Sequence, residues 1–300
     1  MSRIIELFHH TFIQRAFLAC ALIGFTNGFL SAFIVLRRLA LMADALSHAL
    51  LPGVAVGIIL FGFAPISLFI GAVTAALMVG LGAEVISRSS RVKEETALAI
   101  LYTVAFSAGI IFLQFAPVRV DIDHYLFGNI LGVSNSDLWL TYGISFVTIA
   151  TLVLLQRPLF LMLFDQSVAA TQGVNVRALN YLLVTLLVLA MISSLQAVGV
   201  ILALGLLVAP AATVYLLSDS CTALFWGGGF IGLFGSCAGL GLSLWLNLPA
   251  GACIVMFLGL MFCLAYIFSP KYGLIRRYIK RGHYHKESLA RWDDGHKHES

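Results

Sequence analysis

Long apolar runs recur along the chain at 16–36, 39–60, 65–87, 95–115, 137–156, 178–196, 199–217, 222–246 and 250–268, separated by short polar or charged segments. Each approaches the roughly 20 apolar residues that cross about 30 Å of hydrocarbon as a helix. The stretch 178–217 is apolar throughout except at Ser193-Ser194-Leu195-Gln196. The pattern therefore predicts nine membrane spans divided at that polar site, or eight if the stretch is a single element. Before the first run, residues 4–15 alternate Ile4, Ile5, Leu7, Phe8, Phe12 and Ile13 with Glu6, His9, His10, Gln14 and Arg15. That mixture fits an amphipathic helix lying at the membrane surface, and no small-residue cleavage site follows a short apolar core as in a signal peptide. The expected organisation is an interfacial segment at 1–15, a transmembrane domain at 16–270 and a polar tail at 271–300.

Composition agrees with this reading. Of 300 residues, 60% are hydrophobic and 11% charged, whereas soluble domains carry about 25% charged residues. The fold class expected is all-α, a polytopic membrane helix bundle. Its 27 glycines suit helices packed closely in lipid, where small side chains let backbones approach. The formal charge of +4 comes largely from the tail, which holds eight of the eighteen Lys and Arg residues, so it does not indicate a nucleic-acid partner. With nine spans and the C-terminus inside, Arg37, Arg38, Arg88, Arg91, Lys93, Arg157, Arg177 and the tail fall on the cytoplasmic side. Only Arg3, Arg15 and Arg119 fall outside. Basic residues mark the cytoplasmic side of membrane proteins, which sets a cytoplasmic C-terminus. The cysteines, Cys20, Cys221, Cys237, Cys253 and Cys263, stand singly in apolar runs and read as packed thiols rather than disulfides or a metal cluster.

The second run carries the chemistry. Arg37-Arg38-Leu39-Ala40-Leu41-Met42-Ala43-Asp44-Ala45-Leu46-Ser47-His48-Ala49-Leu50-Leu51-Pro52-Gly53 sets a carboxylate and an imidazole four residues apart, hence on one helix face. Ionisable groups inside a membrane are costly and ordinarily face a bundle interior or wet cavity along an ion or proton path. Oxygen and imidazole donors suit zinc, manganese or iron(II). The same spacing also fits a buried Asp–His hydrogen bond that only pins helices together. Pro52-Gly53, one turn beyond His48, predicts a kink or break beside the pair.

Three other stretches stand out. Asp121, Asp123 and His124 precede an apolar patch, Tyr125-Leu126-Phe127-Gly128-Asn129-Ile130-Leu131, too short to span a membrane. Between Arg157 and Arg177, Asp165 reads as the N-cap and Gly173 as the stop of a short helix on the cytoplasmic rim. The tail presents Lys271, Arg276, Arg277, Lys280 and Arg281 to anionic lipid, and then His283, His285, His296 and His298. No zinc-protease helix, phosphate-binding loop or nucleophile elbow occurs, so nothing points to an enzyme.

The segment Arg37 to Gly53 resembles the signature of permease subunits of bacterial divalent-metal ABC importers, the zinc, manganese and iron uptake family. The Leu126-Phe127-Gly128-Asn129-Ile130-Leu131 patch, the Asp165 to Gly173 loop and the run Val198 to Thr213 are similar too, and the likeness extends from Arg15 to about Ser269. The resemblance implies an all-helical permease in the bacterial inner membrane that works as a dimer, homodimeric or closely related heterodimeric. Two ATP-binding subunits would sit below it and an extracytoplasmic metal-binding protein above, with no resident cofactor and the divalent metal ion as cargo. It implies that Asp44 and His48 line the metal path, that Asp165, Gln166, Ala169 and Gly173 dock the ATPase subunit, and that Leu126, Phe127 and Gly128 shape an external gate. Two symmetry-related Asp44–His48 pairs would then supply four donors around one axis. A proton-coupled secondary carrier, with Asp44 and His48 as proton relays, is the alternative, and a membrane scaffold a third reading.

Overall fold

The structure, a computed structural model of the chain, describes residues 11–37, 39–62, 64–115, 130–269 and 273. Among these, regular structure is helical: α1 (Thr11–Arg37), α2 (Ala40–Ala49), α3 (Leu51–Phe61), α4 (Pro65–Ser89), α5 (Glu94–Gln114), a 3-10 turn (Ile130–Gly132), α6 (Asn135–Leu154), α7 (Gln156–Phe164), α8 (Gln166–Thr171), α9 (Val176–Val198), α10 (Val200–Leu217), α11 (Cys221–Leu246) and α12 (Ala250–Phe268). Leu126, Phe127 and Gly128, the acidic residues ahead of them and the histidines of the tail lie outside the described residues. Residues 11–15, expected in a separate interfacial segment, form the first turns of α1.

Eight helical segments among the described residues are long and apolar enough to cross a membrane, with α2 and α3 together making one of them. The division in 178–217 falls at Gly199, not at the serines. Ser194 lies within α9, where its hydroxyl donates to the carbonyls of Ala190 (2.9 Å) and Met191 (2.8 Å), while the Ser193 hydroxyl donates to Thr141 Oγ1 of α6 at 3.3 Å, so both are satisfied without ending the helix. Gly199 has φ +82°, a left-handed conformation that ends α9 and starts α10. The shorter helix α10 runs between the two ends of the bundle. Its Leu202 and Leu206 pack with Ala16, Ile130, Leu240 and Ile254 at one end. Leu207, Ala211 and Val214 join Phe225, Phe33 and Leu159 toward the other.

Helix α1 is the central post, flanked by α11, α10, α6 and α9. Its approach to α11 rests on glycine. A Cβ at Gly24 or Gly28 would strike the backbone of Gly232 or Gly228, and the reverse holds for Gly228 and Gly232. Two G-x-x-x-G faces thus meet backbone to backbone, which maximises dispersion contact where lipid gives helices no hydrophobic drive to associate. Polar side chains close the gaps. Ser236 Oγ donates to the Cys20 carbonyl at 2.9 Å, and Ser31 Oγ accepts the Ala211 N–H at 3.1 Å. The second of these lies beside Pro210, whose ring interrupts the regular bonding of α10.

A second glycine contact sets the helices around the polar pair. Gly53 and Gly71 pack backbone against backbone, joining α3 to α4, and Gly109 of α5 abuts Leu51 and Pro52.

The tight contact yields a direct expectation. Gly28→Ala places its Cβ against the Gly228 carbonyl, a rigid neighbour, and should destabilise by about 1–3 kcal/mol. Gly241→Ala has open space around its Cβ and should leave stability unchanged or slightly raised. Thermal melts in detergent followed by size-exclusion chromatography compare the two.

Candidate metal path and docking rim

The polar pair stands on a helix of only ten residues, Ala40–Ala49. Pro52 explains why it is short. Lacking an N–H, it cannot donate to the His48 carbonyl four residues back, and that carbonyl takes the Leu50 N–H instead. The axis is interrupted at Leu50, with Pro52 in the first turn of α3, so the break expected beside the pair is present. Measured along α2 at 1.5 Å per residue, Asp44 lies about 6 Å from the start of this span and His48 about 12 Å.

Asp44 is exposed and opens into a cavity of about 480 Å³ between the end of α1, α2 and the start of α5. Arg37, Lys93, Glu94, Glu95 and Tyr102 also line it. His48 is half-buried, with the Phe106 ring edge-on at 5.6 Å and the Tyr102 ring tilted at 6.3 Å. Tyr102 therefore borders both ligand candidates. No hydrogen bond joins Asp44 to His48 among the described residues; the nearby Ser47 hydroxyl donates to the Asp44 backbone carbonyl at 2.6 Å instead. The helix-pinning alternative, an Asp–His bond within one chain, is thus not what the fold contains.

What a metal ion would meet in one chain is incomplete. Among the described residues, no group of three or more His, Cys, Asp or Glu side chains converges. A carboxylate and an imidazole on adjacent turns offer two donors, and a dication held for transit needs ligands that release it. The cysteines stay apart from the cavity, on α1, α11 and α12, and contribute no thiolate.

Sequence reasoning passed over the α5 side of this site. Glu94, Leu98 and Tyr102 recur at a spacing of four, one helical face, and all three line the cavity. That periodicity was visible from Glu94 into the fourth run, but nothing in it said which neighbour the face would meet.

At the same end of the bundle the segment 156–173 folds as two short helices. The stretch from Gln156 to Phe164, ahead of the expected short helix, is helix α7, anchored by buried Leu159 and Met162. Asp165 caps α8 as expected, its carboxylate accepting the N–H groups of Ser167 (2.8 Å) and Val168 (3.1 Å). Gly173, at φ +82°, stops it, with the Gly173 N–H bonded to Ala170 and the Val174 N–H to Ala169. Ala169 is fully buried and fixes the helix to the bundle, while Gln166, Phe164 and Val168 are exposed.

Known proteins share this architecture. The chain is 39% identical over 286 residues to the manganese transport system membrane protein MntC of Halalkalibacterium halodurans, covering 95% of this chain and 96% of the relative. It is 32% identical over 277 residues to a Haemophilus influenzae protein named "Probable iron transport system membrane protein", covering 92% and 97%. Among solved structures, PsaBC from Streptococcus pneumoniae in complex with Fab superposes with a TM-score of 0.80 at 34% identity, covering 92% of this chain and 97% of that one. The model of the ABC 3 transport family matches residues 9–269, nearly all of the helical bundle. A broken second span carrying Asp44 and His48, a capped short helix at the same end and a family match of that extent lead to one conclusion: this chain belongs to the ABC 3 transport family.

Proposed function

We propose that this chain is the membrane-spanning permease subunit of an ATP-driven importer, and that the ion it passes inward is manganese(II). The observation that carries this reading is the exposed Asp44, one turn from His48, opening into a charged cavity at one end of a membrane bundle. Family membership replaces the proton-coupled carrier as the alternative. Manganese follows from the donor set and from the name of the Halalkalibacterium relative. Carboxylate and imidazole without thiolate suit manganese(II) and iron(II) better than soft metals. Iron(II) is the second reading, favoured by the name of the Haemophilus relative.

A second permease copy completes the site. Asp44 is exposed on the single chain inside a membrane span. A carboxylate facing lipid within a span is costly, and a facing subunit and a bound cation remove that cost. Two copies related by a two-fold axis bring two Asp44–His48 pairs together, and each chain then contributes half of the ligands. The ATP-binding subunit docks on the rim formed by Asp165, Gln166, Ala169 and Gly173, where Asp165 and Gly173 shape α8, Ala169 seats it, and Gln166 faces outward. An extracytoplasmic binding protein delivers the ion, and Leu126, Phe127 and Gly128 serve as the external gate. The Arg37, Arg88, Lys93, Arg157 and Arg177 end, with the basic tail, is cytoplasmic.

Two outcomes test this. Vesicles holding the full complex should take up labelled manganese(II) with ATP, and Asp44→Ala and His48→Ala should each reduce uptake at least about tenfold, since even outer-shell metal partners are worth that much. Uptake at wild-type rate in either variant refutes the reading. Separately, Phe164→Asp places an unpaired charge on the exposed apolar rim beside α8, and co-purification of the ATP-binding subunit should fall while the permease remains monodisperse in detergent.

A further inference from the structure

We infer that the hydrogen bond between Arg37 and Asn180 is the link through which the docking rim moves the metal-binding helix. This rests on the transport reading above and adds to it two residues that touch no ion. Arg37 is the last residue of α1, three positions before α2 begins, and the Leu39 N–H bonds back to the Ile34 carbonyl at 2.8 Å. The turn is thus short and tied, so a displacement of Arg37 carries directly into the helix that holds Asp44 and His48. Asn180 stands just over one turn into α9, whose first turn is capped by Asn175 through the Ala178 N–H at 3.0 Å. Ahead of it, the Gly173 and Val174 N–H groups close the end of α8, and the Val176 N–H at the start of α9 bonds to the Val174 carbonyl at 2.9 Å. Each end of the link is therefore stiff.

Across 143 positions of sequence, Arg37 Nη1 donates to Asn180 Oδ1 at 2.6 Å. Asn180 is buried and Arg37 half-buried, so water competes little for this bond. Arg37 also lines two neighbouring spaces. One holds Asp44, and the other is a narrow space bounded by Glu84, Glu94 and Asn180. Glu84 is committed to Arg88, at 2.7 and 3.0 Å. Glu94, in contrast, borders both spaces, as Arg37 does.

The choice of acceptor matters. A neutral amide holds a guanidinium less strongly than a carboxylate does, so a contact of this kind breaks and re-forms within a transport cycle. Glu94 offers the guanidinium a second acceptor on α5, beside Asp44. Two alternative partners on different helices make a discrete two-position element, which is what transmission between distant sites requires. When the ATP-binding subunits shift α8, α9 carries Asn180 with it, Arg37 passes between Asn180 and Glu94, and α2 follows.

The test separates transmission from folding and from ion binding. Full complexes of wild type, Asn180→Leu, Asn180→Asp and Asp44→Ala are placed in vesicles, and manganese(II) uptake and ATP hydrolysis are measured together. Asn180→Leu should lower the ions moved per ATP by about fivefold or more, the lower end of typical coupling between sites, while hydrolysis continues. Asn180→Asp turns the amide into a charged partner that retains Arg37, and uptake and hydrolysis should fall in parallel. Should Asn180→Leu not assemble, Asn180→Ser, too short to reach Arg37, carries the same expectation. A wild-type ratio of ions to ATP in the assembled leucine or serine variant overturns the link and leaves the transport reading standing. Normal uptake in Asp44→Ala overturns that reading itself.

Discussion

The bundle depends on how closely helix backbones approach one another. In lipid, apolar side chains gain little by leaving the solvent, so association rests on dispersion contact and on the few polar groups that bond across helices. Gly24 and Gly28 on α1 against Gly228 and Gly232 on α11 supply one such close contact, and Gly53 against Gly71 supplies another between α3 and α4. Ser31 and Ser236 then bond to the partner helix where backbones are near enough to reach. Glycine here provides space rather than flexibility, since each of these residues lies inside a regular helix.

Close packing at Gly53 has a chemical consequence one turn away. Pro52 interrupts the bonding of the second span, and Gly53 and Gly109 bring α3, α4 and α5 together at the interruption. The short helix ahead of it, α2, is left with one face toward α5. That arrangement places His48 against Phe106 and Tyr102, and turns Asp44 into the charged cavity. A continuous helix would carry the same two side chains without the loosened carbonyl and without the freedom of a ten-residue element to move apart from α3.

Among the described residues, charge is concentrated at one end. Arg37, Glu84, Arg88, Glu94 and Asn180 bring the ends of α1, α4, α5 and α9 together there, and the capped helix α8 leads into α9 at that end. An energy-using partner docked on this rim, as proposed, would act within a few residues of the groups that border the Asp44 cavity. Transport by alternating access needs such a short mechanical path, because packed cores pass motion on as discrete shifts rather than by gradual bending.

Much of this was legible in the chain itself. Apolar run length fixed the spans, because hydrocarbon thickness and helix rise leave little latitude. Asp165 and Gly173 announced α8, because a side-chain acceptor and a left-handed residue are local requirements of helix ends. Asp44 and His48 stood out because charge within an apolar run is rare, and Pro52 marked the break beside them. Contacts between distant segments were not legible. Ser193 and Ser194 suggested a boundary, yet Ser194 bonds within its own turn, Ser193 reaches Thr141 on α6, and the boundary falls at Gly199. Arg37 and Asn180 are each unremarkable in sequence, and Tyr102 reads as part of an ordinary span with Glu94 just ahead of it. Periodicity tells which face of a helix is special but not which helix it will meet. Only the folded bundle, through its glycine contacts, decided that α5 faces α2 and that the end of α1 reaches α9.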